Sequence, residues 1–278
     1  MHAPKTKERL DPTLFIGLLL SGVCILGGLI LERGEVQDVA QVTAALIVIG
    51  GTAGAVIVST PKAVLKSVVR RWRSLLFVVE PDIAAQQDEI IRLAMVVRRS
   101  GILSLDQEIT PLGDPFLMRA IRLVADGADE KEIRHLLELD LAVAEQHAES
   151  EAKLFETAGG YAPTIGIIGA VLGLIQVMKH LENTENVGRG IAVAFVATVY
   201  GVSLANLVLL PIGNKIRARA QAISYQREML IEGAFAIQMG KNPRLIRQML
   251  DVCAAKQLKG KSGKEKRLLT FPDAKKAS

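Results

Sequence analysis

The side chains best suited to chemistry are scattered along this 278-residue sequence. The four histidines are too far apart in sequence to match a metal-binding motif. They are His2, His135, His147 and His180. Cys24 lies in an apolar stretch and Cys253 in a polar tail, which predicts neither a disulfide nor a zinc site. No phosphate-binding loop, nucleophile elbow or zinc motif is present. The sequence therefore predicts no enzyme, no metal site and no cofactor.

Polar groups of another kind lie inside four stretches that contain no Asp, Glu, Lys, Arg or His. These stretches are residues 13–31, 41–60, 161–178 and 191–213. Each has about the 20 residues that a helix needs to cross the hydrocarbon core of a bilayer. Uncharged runs of this length are improbable in a soluble protein that has 23% charged residues. The four stretches are predicted to be transmembrane helices.

The distribution of charge predicts how these helices are oriented. Lys and Arg residues follow the second and fourth stretches, whereas the connector 32–40 carries one Arg against three acidic residues. The basic residues concerned are Lys62, Lys66, Arg70, Arg71, Arg73, Lys215, Arg217 and Arg219. The positive-inside rule then predicts a multi-pass membrane protein whose two termini and large middle segment lie in the cytoplasm. The net charge is +5, and for the basic tail attraction to anionic membrane lipid is favoured over nucleic-acid binding.

The segment between the two pairs of stretches shows helical periodicity. Apolar residues at Ile83, Ile90, Leu93, Ala94 and Val97 share a 3.6-residue spacing, and no hairpin or strand pattern is found. The predicted fold class is an all-α membrane protein with four transmembrane helices in two hairpins, a large cytoplasmic helical loop and a cytoplasmic C-terminal tail. The predicted segments are a cytoplasmic N-terminus (1–12), hairpin one (13–60), the helical loop (61–160), hairpin two (161–213), and a C-terminal helix with a basic tail (214–278).

Small residues and prolines mark the second hairpin. Glycines and alanines recur every four residues, a pattern that lets helix backbones approach closely, within one subunit or between subunits. The pairs and triplet are Gly50 and Gly54, Gly166 and Ala170, Gly169 and Gly173, and Ala197, Gly201 and Ala205. Pro163 and Pro211 flank this hairpin at matching depth, where each removes a helical hydrogen bond and predicts a hinge.

No ionisable group lies within the four stretches. Proteins that move protons or sodium ions through lipid normally keep such a group at depth. A threonine hydroxyl such as that of Thr198 can coordinate an ion but cannot hold a charge at neutral pH. An ion pathway would therefore need a carboxylate from a second protein, and otherwise the helices would be an anchored scaffold without ion flux.

Three sequence motifs resemble those of a known family. They are Ala162-Pro163-Thr164-Ile165-Gly166-Ile167-Ile168-Gly169-Ala170-Val171-Leu172-Gly173-Leu174, then Ile191-Ala192-Val193-Ala194-Phe195-Val196-Ala197-Thr198-Val199-Tyr200-Gly201 with Leu204-Ala205-Asn206 and Pro211, and Arg98-Arg99-Ser100-Gly101-Ile102-Leu103-Ser104-Leu105-Asp106. The chain resembles the A subunit of the bacterial flagellar stator, the MotA/PomA family of the MotA/TolQ/ExbB proton channel superfamily. The resemblance extends from about residue 11 to residue 258, and it implies a multi-pass protein of the bacterial cytoplasmic (inner) membrane.

The resemblance implies partners for motility. A homo-pentamer of A subunits would surround a dimer of MotB-like B subunits, each with one membrane helix that carries an ion-binding Asp and a peptidoglycan-binding domain. Ion passage would rotate the ring and push on the rotor protein FliG. Arg98 and Asp106 match the charged rotor-contact positions of the family, although relatives often have Glu where this chain has Asp106.

The resemblance also implies roles inside the membrane. Pro163 and Pro211 match the prolines that couple ion passage to conformational change, and Thr198, Ala170 and Asn206 fall along the ion pathway. Ala170 stands where sodium-type relatives tend to carry Thr. Because a methyl group cannot coordinate sodium, we expect the transported ion to be H⁺ rather than Na⁺.

Two alternatives compete with this interpretation. Proton-driven energisers of the ExbB/TolQ type also pentamerise around a carboxylate-bearing partner, but they have three spans with the large loop after the first. The other alternative is the anchored scaffold. A neighbouring gene that encodes one membrane span, an early Asp and a peptidoglycan-binding domain would favour the stator.

Overall fold

A computed structural model describes residues 9–34, 39–78, 82–110, 112–179, 181–182 and 184–254. The chain divides into two compact units. We call residues 82–145 and 219–254 the helical unit, and residues 9–78 and 146–218 the membrane unit. Two long helices, given below, contribute residues to both.

The first half of the chain opens the membrane unit and then enters the helical unit. Its elements are β1 (Arg9–Leu10), α1 (Pro12–Leu31), α2 (Val42–Ala45), a π-helical segment π1 (Leu46–Gly50), α3 (Gly51–Ser59), α4 (Lys62–Leu76), β2 (Phe77–Val78), α5 (Ile83–Ser100), a 3₁₀ turn (Ile102–Ser104), α6 (Leu105–Ile109) and α7 (Pro115–Ala125). Strands β1 and β2 pair antiparallel, Arg9 with Val78 and Leu10 with Phe77. This two-residue ladder was not predicted, but it leaves the all-α fold class unchanged.

The second half consists of long helices. Its elements are α8 (Glu130–Lys179), α9 (Thr184–Ser203), a second π-helical segment π2 (Leu204–Leu209), α10 (Leu210–Gln238) and α11 (243–254). Helix α8 continues for 50 residues, past Gly159 and Gly160 and through Pro163. Four helical stretches are long and apolar enough to cross a membrane, in Pro12–Leu31, Val42–Ser59, Glu130–Lys179 and Val187–Gln238. The predicted all-α membrane fold is confirmed.

Side-chain caps explain where the helices of the helical unit begin and end. Asp82 accepts a hydrogen bond from the Ala85 amide at 3.0 Å and starts α5. Asp114 accepts from two amides at the start of α7, where proline occupies the first helical position. Gly127, with φ of 75°, follows the end of α7, and Asp129 accepts from the Glu130 amide at 2.9 Å. These two residues thus account for the end of α7 and the start of α8.

A continuous apolar core fills the helical unit. It is built from α5, α6, α7, the first turns of α8, the second half of α10, and α11. Its fully buried large side chains include Ile90, Leu93, Leu105, Leu117, Ile121, Ile133, Leu137, Leu230, Ile237, Ile246 and Leu250. Burial of this many branched side chains is the main force that holds such a unit together in water.

Candidate functional site

The second hairpin holds two helix backbones in direct contact. A Cβ atom at Gly166 would lie 2.9 Å from the carbonyl oxygen of Ala197, and one at Gly201 would lie 2.6 Å from that of Ala162. Two turns further along α8, a Cβ at Gly173 would lie 2.8 Å from the carbonyl oxygen of Gly190. Only glycine allows this approach, so the small residues of α8 and α9 pack against each other within one protomer.

The three predicted ion-pathway residues occupy different positions on this pair. Thr198 is half-buried, and its hydroxyl donates to the carbonyl oxygen of Ala194 at 3.2 Å. Its Cα lies 3.4 Å from the position that a Gly166 Cβ would take, so it borders the backbone contact. Ala170 is half-buried one turn along α8. Asn206 is exposed and donates to the carbonyl oxygen of Val202 at 2.9 Å.

Both predicted coupling prolines border the same helix pair. The Cα of Pro163 lies 3.2 Å from the position that a Gly201 Cβ would take, which puts it against α9 near Thr198. Pro211 is exposed in the first turn of α10. Its neighbour Leu210 lies 2.8 Å from the position of a Gly159 Cβ, one turn before Pro163. Each of the two helices of hairpin two therefore has a proline close to the region where they contact each other.

The π2 segment explains how helix continues into Pro211. A proline ring clashes with the carbonyl of the residue four positions earlier, which is Leu207 here. Proline also has no backbone N–H to donate a hydrogen bond to that carbonyl. Residues Leu204–Leu209 take the wider i→i+5 geometry immediately before the proline. Such π segments relieve this conflict inside a helix and are frequent at functional sites.

The helix that contains π1 packs on the same pair through a buried stripe. Ala44 and Val48 are buried against Val196 and Ala197 of α9. Contact with α8 uses Gly51, where a Cβ would lie 2.8 Å from the Ile165 side chain. By contrast, a Cβ at Gly50 or Gly54 would meet nothing within 4 Å in the protomer. A side chain added at Gly50 or Gly54 would thus enter open space, among the residues described.

A tyrosine joins this helix to α9 by hydrogen bonds. The Tyr200 hydroxyl donates to the carbonyl oxygen of Val39 at 2.5 Å and accepts from the Gln41 amide at 3.3 Å. It thereby pairs backbone groups that precede α2 and have no helical partner.

Ion pairs connect helices of the membrane unit outside the uncharged stretches. Arg217 of α10 donates to Glu149 at 2.7 and 2.9 Å and to Glu156 at 2.6 Å, both on α8. These hydrogen bonds lower the pKa of both carboxyl groups and raise the pKa of Arg217. Lys215 pairs with the buried Asp11, the N-cap of α1.

The predicted rotor-contact residues lie in the helical unit, on either side of a tight turn. Arg98 is exposed in the last turn of α5, and Asp106 is exposed in the first turn of α6. Gly101, with φ of 81°, reverses the chain between them. Neither residue has an ion-pair partner among the described side chains. Leu105 and Ile109 are buried and anchor α6, which leaves Asp106 facing solvent.

An arginine within the same unit fixes this turn. Arg92 of α5 donates to Glu89 at 2.7 and 3.1 Å and to Glu108 of α6 at 2.5 Å. The hydrogen bonds that Arg92 donates to Glu89 and, with a smaller effect, to Glu108 raise the pKa of Arg92. Sequence reasoning missed this tie because the Arg92–Glu108 pair is 16 residues apart, beyond any helical i,i+4 signal.

Comparison with known proteins gives the family. Residues 109–229 match the MotA/TolQ/ExbB proton channel family, and residues 15–100 match the motility protein A N-terminal family. Motility protein A of Bacillus subtilis (strain 168) is 32% identical over 245 residues, which cover 87% of this chain and 90% of that protein.

Two solved structures have the same fold over most of the chain. The structure of MotAB from C. jejuni has a TM-score of 0.84 at 28% identity and covers 88% of this chain and 96% of that chain. The flagellar MotAB stator complex from Bacillus subtilis has a TM-score of 0.81 at 32% identity and covers 90% of this chain and 99% of that chain. Sequence and fold thus agree over nearly the full length of these relatives, and the chain belongs to the motility protein A family.

Proposed function

We propose that this chain is the A subunit of a flagellar stator that couples inward proton flow to rotation of a ring of A subunits and to torque on the rotor. Its likeness to motility protein A and to MotAB stator complexes over nearly its whole length supports the stator assignment. The proton, the pentameric stoichiometry and the contact with FliG belong to the proposal.

One observation carries the ion-conducting part. Helices α8 and α9 are packed backbone to backbone around Thr198, yet none of the four apolar stretches contains Asp, Glu, Lys, Arg or His. A hydroxyl that already donates to its own helix can pass a proton or accept from water, but it cannot store charge. The charge-carrying group must come from a second chain, a MotB-like subunit whose single span contributes an Asp.

The choice of ion rests on Ala170. A sodium ion needs several oxygen ligands, and the methyl group of Ala170 offers none at the position where sodium-type relatives tend to carry Thr. A proton needs only water and the partner's carboxylate. We therefore propose H⁺ as the transported ion.

The turn between α5 and α6 is the proposed rotor-facing surface, and it lies on the cytoplasmic side with both termini. Arg98 and Asp106 offer opposite charges to solvent from a turn that Arg92 holds rigid. Such a pair is suited to an electrostatic contact that forms and breaks repeatedly, because exposed pairs are individually weak.

Ion substitution tests the proposal directly. This chain and its neighbouring single-span subunit would be expressed in a motile host that lacks its own stator, and swimming speed would be measured. We expect swimming to persist without sodium and to collapse with a proton uncoupler. Speed that follows the sodium concentration would contradict the ion assignment.

Charge reversal tests the rotor surface. Arg98→Glu combined with Asp106→Lys should impair torque while membrane insertion and complex formation remain normal. The matched control is Arg99→Glu, the neighbouring exposed arginine. If the double variant swims as fast as the control and the wild type, Arg98 and Asp106 are not part of the rotor contact.

A further inference from the structure

Helix α4 presents two chemically different faces directly after a membrane-spanning helix. Only Thr60 and Pro61 separate its first residue, Lys62, from the end of α3. The bilayer leaflet at which α3 ends is therefore within reach of the first turns of α4.

One face of α4 is packed on the membrane unit. Val64, Leu65 and Val68 lie against an apolar cluster formed by Val56, Leu154 and Ala158. On this same side, the Ser67 hydroxyl donates to Glu151 of α8, and Arg71 lies 3.7 Å from the same carboxylate. The packed face thus has its polar groups paired.

The opposite face carries a row of cations, which we call the cationic stripe: Lys62, Lys66 and Arg70. Residues four apart lie on one side of a helix, so the three charges extend over about 12 Å. All three side chains are exposed. Within the part of the chain that the structure describes, none of them has a carboxylate within ion-pair distance, and apolar Val69 beside them is 72% exposed.

Two adjacent arginines therefore differ in a way that the sequence alone does not reveal. Arg71 faces Glu151, whereas Arg70 faces solvent. By the positive-inside rule, Arg70 and Arg71 contribute equally to orientation in the membrane. In the structure Arg71 has a carboxylate partner, so of the two it is Arg70 whose charge is available for a ligand.

We propose that the cationic stripe binds the headgroups of anionic phospholipid in the leaflet at which α3 ends. Three uncompensated cations on one helix face, next to a bilayer and beside an exposed apolar side chain, complement phosphate groups above acyl chains. The stripe would hold lipid around the complex independently of whether the protein conducts ions, so this proposal does not depend on the proposed function.

The experiment compares lipid binding by the purified complex of this chain with its single-span partner. Native mass spectrometry would count bound phosphatidylglycerol against phosphatidylethanolamine in detergent at low salt. The variants are Arg70→Gln, its matched control Arg71→Gln, and the triple variant Lys62→Gln, Lys66→Gln, Arg70→Gln.

We expect Arg70→Gln to weaken phosphatidylglycerol binding about fivefold and Arg71→Gln to leave it nearly unchanged. The triple variant should lose on the order of a hundredfold, with phosphatidylethanolamine binding unaltered. Equal effects of the two single variants, or wild-type binding by the triple variant, would overturn the proposal. A triple variant whose complex loses A subunits would also overturn it, because the stripe would then be a contact between protein chains.

Discussion

The helical unit and the membrane unit reach close packing by opposite means. In the helical unit, the crowded Gly233 would place a Cβ 2.7 Å from the Cδ1 atom of Ile90, the end of a large side chain. In the membrane unit, Gly166 and Gly201 face carbonyl oxygens of the neighbouring helix. The first unit is stabilised by burying large side chains from water. Lipid offers no such force between helices, so the second relies on bare backbone contact.

Exposure of apolar side chains follows the same division. Helix α1 has no buried residue, and the apolar side chains of Leu19, Leu20 and Val23 are exposed. That exposure would be a liability in water but suits lipid. The apolar side chains of α1 are thus available to lipid, whereas those of the helical unit form its core.

The largest expected effect is the loss of rotation in the variant Pro163→Leu. Leucine restores the hydrogen-bond donor that α8 lacks here and removes the hinge beside α9, so rotation should stop while the complex still assembles. Swimming and complex mass would both be measured. Pro115→Ala is the control, because that proline occupies the first turn of α7, where proline costs the helix nothing. Normal swimming of Pro163→Leu would leave this proline with a packing role only.

The next effect tests the core of the helical unit. Leu230 is fully buried, and Leu230→Ala should lower the free energy of unfolding by about 2–5 kcal/mol through lost burial and a cavity. Thermal unfolding of the purified complex measures it. Leu139 is 53% exposed in the protomer, so Leu139→Ala should cost far less. If both variants lose the same stability, Leu139 is also buried in the assembly. Comparing the two variants would then not isolate the contribution of the core.

A smaller effect tests backbone contact in the membrane unit. Gly201→Ala would force its Cβ to 2.6 Å from the Ala162 carbonyl oxygen and should cost about 1–3 kcal/mol as the helices move apart. Gly54→Ala meets nothing within 4 Å and serves as control. Both would be assayed by detergent thermal stability. If the two variants lose the same stability, close contact between α8 and α9 is not what holds the pair.

The smallest effect comes from the Arg217 ion pairs. The pKa of Glu149 and of Glu156 is lowered, so their stabilisation is present above the ordinary carboxyl range and is lost as pH falls below about 4.3. Because these side chains are largely exposed, Arg217→Gln should cost no more than about 1 kcal/mol at pH 7. The stability difference from wild type should shrink as pH falls further, because the carboxyl groups become protonated. A difference that persists at low pH would assign Arg217 a role other than charge pairing.

Local sequence signals predicted much of this fold. The uncharged stretches predicted the four spans, and Asp82 and Asp129 lie at helix starts because each side chain satisfies an amide within three residues. The course of α8 was predicted less well, because Gly159 and Gly160 suggested a break that the helix passes without interruption.

Features that depend on distant partners were not predictable. The π1 and π2 segments have no composition that separates them from α-helix, and their positions depend on tertiary packing. The spacing of Gly50 and Gly54 pointed to a packing stripe, yet within the protomer Gly51 makes the contact, because the register of two helices is set by both. Pairs such as Arg217 with Glu149 lie 68 residues apart and leave no sequence signal.

The most direct test of the stator account is the composition of the complex. The chain would be co-expressed with the neighbouring single-span subunit, purified in detergent, and its mass measured. The account predicts a mass that fits five copies of this chain with two of the partner, which supplies the missing carboxylate. A chain that purifies without any partner would contradict it, since the spans would then lack the charge that an ion pathway requires.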